Sequence, residues 1–208
     1  MYDYASHGNI DFSDTEPPKH DFGDAVVRVI RTRDIYQVDP EEHMDVYSER
    51  ILELAGDHRR AGIPEGCNAA SMAGMSKRGE RAIQLFCVID EDSMLIERAG
   101  FRCRGDIATI ASASLITALI EGKTVDEALG VSVADLKREL GKMPADRVTR
   151  PYLAVEAVRA MVGDFFLRQG RDLAWLDANL ACDEFGVNCS MCEHCSLRDQ
   201  RVSLRFGK

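Results

Sequence analysis

The spacing of apolar residues predicts that the first long helix lies in residues 39–62. Tyr47, Ile51 and Leu54 recur four and then three positions apart, which places them on one face of a helix. Asp39 stands before a proline and several acidic residues, a sequence typical of a helix start. We therefore expect an amphipathic helix capped by Asp39.

A β-hairpin followed by a buried helix is the next predicted unit. Residues 80–89 and 93–105 are short, β-prone runs joined by a polar turn. Asp106 and Gly122 are typical of the start and end of a helix. Between them, alanine and serine alternate with isoleucine and leucine, a composition that favours close helix packing.

The C-terminal half of the chain predicts mainly helices. Residues 124–141 indicate two short helices, the second capped by Ser132, and residues 150–170 indicate a longer one. One apolar stripe runs along the longer helix: Ala154, Val158, Met161 and Phe165. The order of helix, hairpin and further helices predicts an α+β fold, with several helices packed against a small antiparallel sheet.

Charge and composition narrow the possible functions. The 208-residue chain has a formal net charge of −9, which argues against general binding to nucleic acids or anionic membranes, since both require a basic surface. The longest apolar run, 107–120, is too short to span a bilayer, and the polar first residues lack the apolar core of a secretory signal. We therefore expect a cytoplasmic protein, without membrane insertion, in which clustered cysteines are typically metal ligands.

Three segments carry motifs that are shared with a known family. They read YSERILELAGDHRRAG at 47–62, GDIATIASASLITALIEGKTVDEAL at 105–129 and RPYLAVEAVRAMVGDF at 150–165. Together they resemble the NifU/IscU family of iron–sulfur cluster assembly scaffolds. The resemblance covers roughly residues 45–168, and it implies a NifU/IscU-like fold and a role in the assembly or transfer of clusters.

The same resemblance implies where the three cluster-binding cysteines of the family would fall. The position before the central helix is Asp106, the position before the last long helix is Arg150, and the hairpin position falls near Glu80. Carboxylates match iron–sulfur clusters poorly, and a guanidinium cannot ligate a metal. We therefore expect a charge-paired remnant of the family site, with no catalytic residues.

Three further cysteines lie within or beside the family-like segments. Cys67 and Cys103 could join Asp106 in a second metal site, and the alternative is that both are unpaired reduced thiols. Cys87 lies in an apolar run and is most simply a small buried apolar residue.

The remaining four of the seven cysteines lie close together near the C-terminus. They are spaced C-x6-C-x2-C-x2-C, as Cys182, Cys189, Cys192 and Cys195. Three cysteines with two residues between each, and a fourth cysteine nearby, are typical of loops that bind a [4Fe–4S] cluster. Structural zinc sites more often use two separated pairs, although His194 keeps zinc as an alternative cofactor.

These observations predict an iron–sulfur protein built from three parts. Residues 1–42 form an N-terminal extension with one short strand at 25–31, residues 43–170 the NifU/IscU-like domain, and residues 171–208 a helical lead-in and a cysteine-rich metal-binding tail. The arginine-bearing end, 196–208, is interpreted as a solvated tail, with docking of an acidic partner or stabilisation of an anionic cluster as alternatives.

Two functional classes follow from this organisation. The first is an iron–sulfur protein in cluster assembly or transfer, or an electron-transfer subunit of a larger complex, with redox or cluster-assembly proteins as partners. The second is a zinc-stabilised protein-interaction module. No nucleophile–base pair or phosphate-binding glycine loop is visible, so the chain alone is not expected to be an enzyme.

Overall fold

The computed structural model describes residues 36–37, 46–75, 81–180 and 194–207. Within these ranges five strands form one sheet: β1 (Tyr36–Gln37), β2 (Ala69–Met75), β3 (Arg81–Ile89), β4 (Ile96–Arg104) and β5 (His194–Cys195). Their order in the sheet is β1-β4-β3-β2-β5. β1 pairs with β4 in parallel, and the other neighbours are antiparallel.

Helices cover the sheet and supply most of the core. They are α1 (Glu49–Gly56), α2 (Ile107–Ile120), α3 (Val125–Leu129), α4 (Val133–Leu140), α5 (Arg150–Arg168), α6 (Leu173–Asn179) and α7 (Ser196–Phe206), with a 3-10 turn at Ala145–Arg147. α5 packs on β2 and β3, while α2 packs on β4 and α1. The predicted α+β class and the predicted β3–β4 hairpin are confirmed.

The central helix α2 is buried almost all round. Every residue of it except Ala118 and Leu119 is buried. Two of its polar side chains bond within the helix: Ser112 Oγ donates to the Ala108 carbonyl at 2.6 Å and Thr117 Oγ1 to the Ala113 carbonyl at 3.0 Å. Small residues with internal hydrogen bonds therefore allow close contact on every side.

The first helix is shorter than predicted. α1 begins at Glu49, where Ser48 accepts a hydrogen bond from the Ile51 amide, and it ends at Gly56. Asp39, the predicted cap, lies outside the described residues. Ile51 and Leu54 are buried as the apolar spacing predicts, and Tyr47 is buried just before the helix.

Two segments that were not predicted as strand or helix are regular structure. The Gly/Ala/Ser-rich run that contains β2 pairs with β3 over seven residue positions, from Ala69↔Cys87 to Met75↔Arg81. The interpretation of 196–208 as a solvated tail is wrong for residues 196–206, because they form α7, which packs on α5 and α6. The strand predicted at 25–31 lies outside the described residues.

Candidate functional site

The first candidate site is centred on Asp106, a buried carboxylate at the start of α2. Asp106 caps α2 with Oδ1, which accepts hydrogen bonds from the Thr109 amide at 2.9 Å and the Thr109 hydroxyl at 2.7 Å. Its other oxygen, Oδ2, accepts two hydrogen bonds from Arg150, from Nε at 2.8 Å and from a terminal nitrogen at 2.7 Å. Both side chains are 3% exposed. The predicted pairing of Asp106 with Arg150 is therefore confirmed.

Two further arginines approach the same oxygen. Arg147 Nε lies 3.2 Å from Asp106 Oδ2, and Arg81 Nε lies 3.6 Å from it. Arg81 begins β3, Arg147 ends the 3-10 turn and Arg150 begins α5, so three separate elements meet at this point. We call Asp106 and these three arginines, Arg81, Arg147 and Arg150, the arginine cluster. Glu80, the third predicted member of the family site, lies outside the described residues.

The arginines keep Asp106 ionised in spite of its burial. Burial raises the pKa of Asp106, but hydrogen bonds from Arg150 and Thr109 and the Arg150 charge outweigh it, so the pKa lies below its ordinary value of 3.8. A carboxylate already shared among three guanidinium groups has little lone-pair capacity left for a metal. The residues at this position therefore do not fit an iron–sulfur cluster, which requires thiolates.

Two of the three cysteines inside the domain lie in strands of the sheet, and the third lies in the loop before β2. Cys103 and Cys87 are fully buried in the core, and burial raises the pKa of both thiols well above the ordinary thiol value. Cys67 is half-buried in the loop before β2 and donates to the Ala69 carbonyl at 3.2 Å. Burial raises its pKa as well, so none of these three is an activated thiol.

The second metal site proposed from the sequence is not formed. Cys103 lies opposite Ile83, whose partner in β2 is Ala73, whereas Cys67 precedes Ala69 at the other end of that strand. The four residue steps from Ala69 to Ala73 along the strand correspond to about 13 Å. In the described part of the chain, no group of three or more His, Cys, Asp or Glu side chains is arranged to hold a metal ion.

Cys195 is the member of the C-terminal cysteine set that the structure describes. It lies in β5 opposite Ala73, is 6% exposed, and immediately precedes α7. Cys182, Cys189 and Cys192 lie outside the described residues. Cys195 is thus fixed at the β2 edge of the sheet rather than in an extended tail.

Both ends of the segment that carries the other three cysteines contact the domain. On the N-terminal side Leu180 is 4% exposed and its carbonyl accepts a hydrogen bond from Arg201 at 2.8 Å. On the C-terminal side Ser196 Oγ accepts from the Met72 amide at 3.0 Å, and Leu197 packs over Gly163. Residues 181–193 therefore connect two points on the same domain.

Sequence reasoning missed Arg81 and Arg147 as site residues. Neither belongs to a motif, and both are far in sequence from Asp106. The only local signal is the three-residue spacing of Arg147 and Arg150 at the start of a helix, which could be read as two exposed cations.

The family model described as NifU-like N terminal domain matches residues 46–172. The chain therefore belongs to the NifU-like N-terminal domain family, which confirms the resemblance noted in the sequence. The match leaves out the C-terminal cysteine segment and the first 45 residues.

Among curated relatives, the Nitrogen fixation protein NifU of Azotobacter chroococcum mcd 1 is 31% identical over 119 residues, which are 57% of this chain and 38% of that protein. The Iron-sulfur cluster assembly scaffold protein IscU of Aquifex aeolicus (strain VF5) is 27% identical over 126 residues, 60% of this chain and 79% of that protein. The chain thus spans well under half the length of the first relative.

Among solved structures, the N-terminal part of a nitrogen-fixing NifU-like protein from Brucella abortus has a TM-score of 0.46 and 18% identity, over 60% of this chain and 96% of that one.

Helices within the described ranges are too short or too polar to cross a lipid bilayer.

Proposed function

We propose that this protein acts in iron–sulfur cluster assembly and carries its cluster on the C-terminal cysteines instead of at the family position. The observation that carries the proposal is the buried Asp106–Arg150 pair, which occupies the place where the resemblance puts two family cysteines. The names of the relatives, a nitrogen fixation protein and cluster assembly scaffolds, support the assembly role.

The proposed ligands are the four thiolates Cys182, Cys189, Cys192 and Cys195, and the proposed cofactor is a [4Fe–4S] cluster. Such a cluster would supply a redox centre or a transferable inorganic unit. Thiolates are the donors that iron–sulfur clusters prefer, and the x2 spacing suits ligation within a short loop. Cys195 lies in a paired strand, which supports a fixed C-terminal end for such a loop.

The proposed partners are other proteins of cluster assembly or redox chemistry. The negative net charge of −9 favours partners with a basic contact surface and disfavours nucleic acids. In this arrangement the NifU-like domain positions the cluster and contacts the partner, and it does not itself hold the inorganic centre.

Replacement of single residues, followed by anaerobic UV–visible and EPR spectroscopy, tests the cluster site. Cys192→Ser removes one proposed thiolate and should abolish the iron–sulfur spectrum. Cys67→Ser is the matched control, since Cys67 is a reduced, half-buried cysteine outside the proposed set, and it should leave the spectrum unchanged. An unchanged spectrum in Cys192→Ser, or loss of the spectrum in Cys67→Ser, would contradict the assignment.

Transfer of the cluster tests the assembly role separately from the site. The loaded protein is mixed anaerobically with an apo-ferredoxin, and the ferredoxin spectrum is followed. Transfer within minutes supports assembly. A cluster that stays on this chain and is reversibly reduced would instead assign electron transfer within a larger complex. A colourless protein with tightly bound zinc would assign the zinc-stabilised interaction module.

A further inference from the structure

A pocket lies between the C-terminal end of α5 and the helix α7. Its volume is about 570 Å³, which is within the usual range for pockets that bind small molecules. α5 and the turn after it contribute Asp164, Leu167, Arg168 and Arg171, and α7 contributes Gln200 and Leu204. The pocket is therefore at the opposite end of α5 from the arginine cluster.

The floor of the pocket is polar and buried. Asp164 is 2% exposed and Gln200 is 6% exposed. Asp164 Oδ2 accepts hydrogen bonds from the Ala70 amide and from Arg168 Nε, both at 2.8 Å, and Oδ1 accepts from Gln200 Nε2 at 3.3 Å. Because Arg168 neutralises the carboxylate, this pair adds no net charge to the pocket.

Gln200 leaves one hydrogen-bond acceptor at the floor without a donor. Its amide nitrogen faces Asp164, which directs its amide oxygen, Oε1, away from that carboxylate. Oε1 is buried and has no hydrogen-bond partner among the described residues. A buried acceptor without a donor lowers stability, so an N–H or O–H group that reaches it from the pocket is favoured.

The walls of the pocket are apolar and its mouth is positively charged. Leu167 is partly buried against the core, and Leu204 is 52% exposed. Arg171 is exposed, and its guanidinium carbon lies 5.7 Å from the centre of the Trp175 ring. Within the described ranges Arg171 has no ion-pair partner. A guanidinium stacked on an aromatic ring keeps its N–H edge available for a carboxylate.

We propose that this pocket binds a small organic monocarboxylate with an apolar body and a hydrogen-bond donor at its other end. The carboxylate pairs with Arg171, the apolar body packs between Leu167 and Leu204, and the donor reaches Gln200 Oε1. A ligand with one ring has a suitable length, because Asp164 and Arg168 are about 6 Å apart along α5. This proposal does not depend on a cluster at the C-terminal cysteines, and either can fail without the other.

Three ligands that differ by one group test the proposed chemistry. The complete probe is 4-hydroxyphenylacetate, phenylacetate lacks the donor, and 4-hydroxyphenylacetamide lacks the charge. Titrations followed by ¹H–¹⁵N NMR give the dissociation constants and show which amides respond. We expect saturable shifts in 164–171 and 200–204, with the acetamide at least about tenfold weaker and phenylacetate weaker than the complete probe. Equal affinities, or no saturable shift with 4-hydroxyphenylacetate, would overturn the proposal.

The Arg171→Gln variant assigns the carboxylate to its partner. It should bind 4-hydroxyphenylacetate about tenfold more weakly and bind 4-hydroxyphenylacetamide as the wild type does, because only the charged ligand loses an ion pair. Arg50→Gln is the matched control, since Arg50 is an exposed arginine of α1 that pairs with Glu53. It should leave both affinities unchanged. Wild-type affinity for 4-hydroxyphenylacetate in Arg171→Gln would overturn the assignment.

The Leu204→Ala variant tests the apolar wall independently of charge. It should weaken all three ligands to a similar extent, because it removes apolar surface that each ring covers. Circular dichroism checks that both variants keep the fold, as expected for exposed side chains. Unchanged affinities in Leu204→Ala would place the ligand outside this pocket and would also overturn the proposal.

Discussion

Asp106 performs two structural tasks with one side chain. It caps the central helix α2 through Thr109, and it neutralises Arg150, which is buried at the start of α5. Each task alone is common, but together they connect the starts of the two largest helices through one carboxylate. Loss of its charge would remove the closest counter-ion of the buried Arg150. The resulting loss of folding free energy is larger than the net stabilisation that the intact ion pair provides.

The Asp106→Asn variant should therefore be strongly destabilised. We expect the free energy of unfolding to fall by about 3–5 kcal/mol, because the buried guanidinium of Arg150 loses the carboxylate that it contacts at 2.7 Å. Urea denaturation followed by circular dichroism measures the change. Glu53→Gln is the control, because it removes a carboxylate that pairs with Arg50 on the exposed face of α1, and it should leave the midpoint nearly unchanged. Similar midpoints for the two variants would contradict the role of Asp106.

The pH dependence of stability provides a second check on the same carboxylate. Because the pKa of folded Asp106 lies below its ordinary value of 3.8, its contribution is fully present above that value and is lost as the pH falls below it. The difference in unfolding free energy between the wild type and Asp106→Asn should therefore be constant from about pH 7 to pH 5 and shrink below pH 3.8. A difference that grows on acidification would contradict the assigned direction.

At the scale of elements, the close packing of the C-terminal helix α7 on α5 depends on one glycine. Gly163 lies in the middle of α5, where a Cβ would come within 2.5 Å of Leu197 Cδ1. The absence of a side chain allows α7 to lie close against α5, and with it the strand β5 that contains Cys195. The position of Gly163 thus links the domain to the segment that carries the proposed cluster ligands.

Gly163→Ala should destabilise the protein by about 1–3 kcal/mol through overpacking, although alanine is the better helix former. Gly56→Ala is the control, since nothing lies within 4 Å of a Cβ at that helical position, and it should be neutral or slightly stabilising. Chemical denaturation compares the two. If combining Gly163→Ala with Leu197→Ala recovers stability relative to Gly163→Ala alone, the contact with Leu197 is the cause.

The elements that sequence reasoning identified are those with strong local signals. Asp106 and Ser132 were recognisable as helix caps because capping depends on residues within one turn. β2 was missed because Ala and Gly have low strand preference, and its stability comes from distant partners such as Asp164, which accepts from the Ala70 amide at 2.8 Å.

The candidate site was predictable only in part for the same reason. The pairing of Asp106 with Arg150 followed from the family resemblance, which brings two distant positions together. Arg81 and Arg147 carry no local mark, so their approach to Asp106 depends on how three elements pack. The position of α7 likewise depends on the fit of Leu197 over Gly163, which no spacing rule reveals.

At the scale of the whole molecule, the chain combines a NifU-like domain with a cysteine segment outside the family match. The match covers residues 46–172, and the four clustered cysteines begin at Cys182. The domain has an ion-pair network at the family position. Its strand β2 contacts Cys195 and Ser196, and Leu180, just before residues 181–193, accepts a hydrogen bond from Arg201 of α7. We propose on this basis that the inorganic centre has moved from the pocket of the domain to its edge.

The content of iron, acid-labile sulfide and zinc in anaerobically purified protein tests this proposal most directly. The wild type should contain about four irons and four sulfides per chain, as expected for one [4Fe–4S] cluster, and Cys192→Ser should contain neither. One zinc per chain without sulfide, or full iron and sulfide in Cys192→Ser, would contradict it.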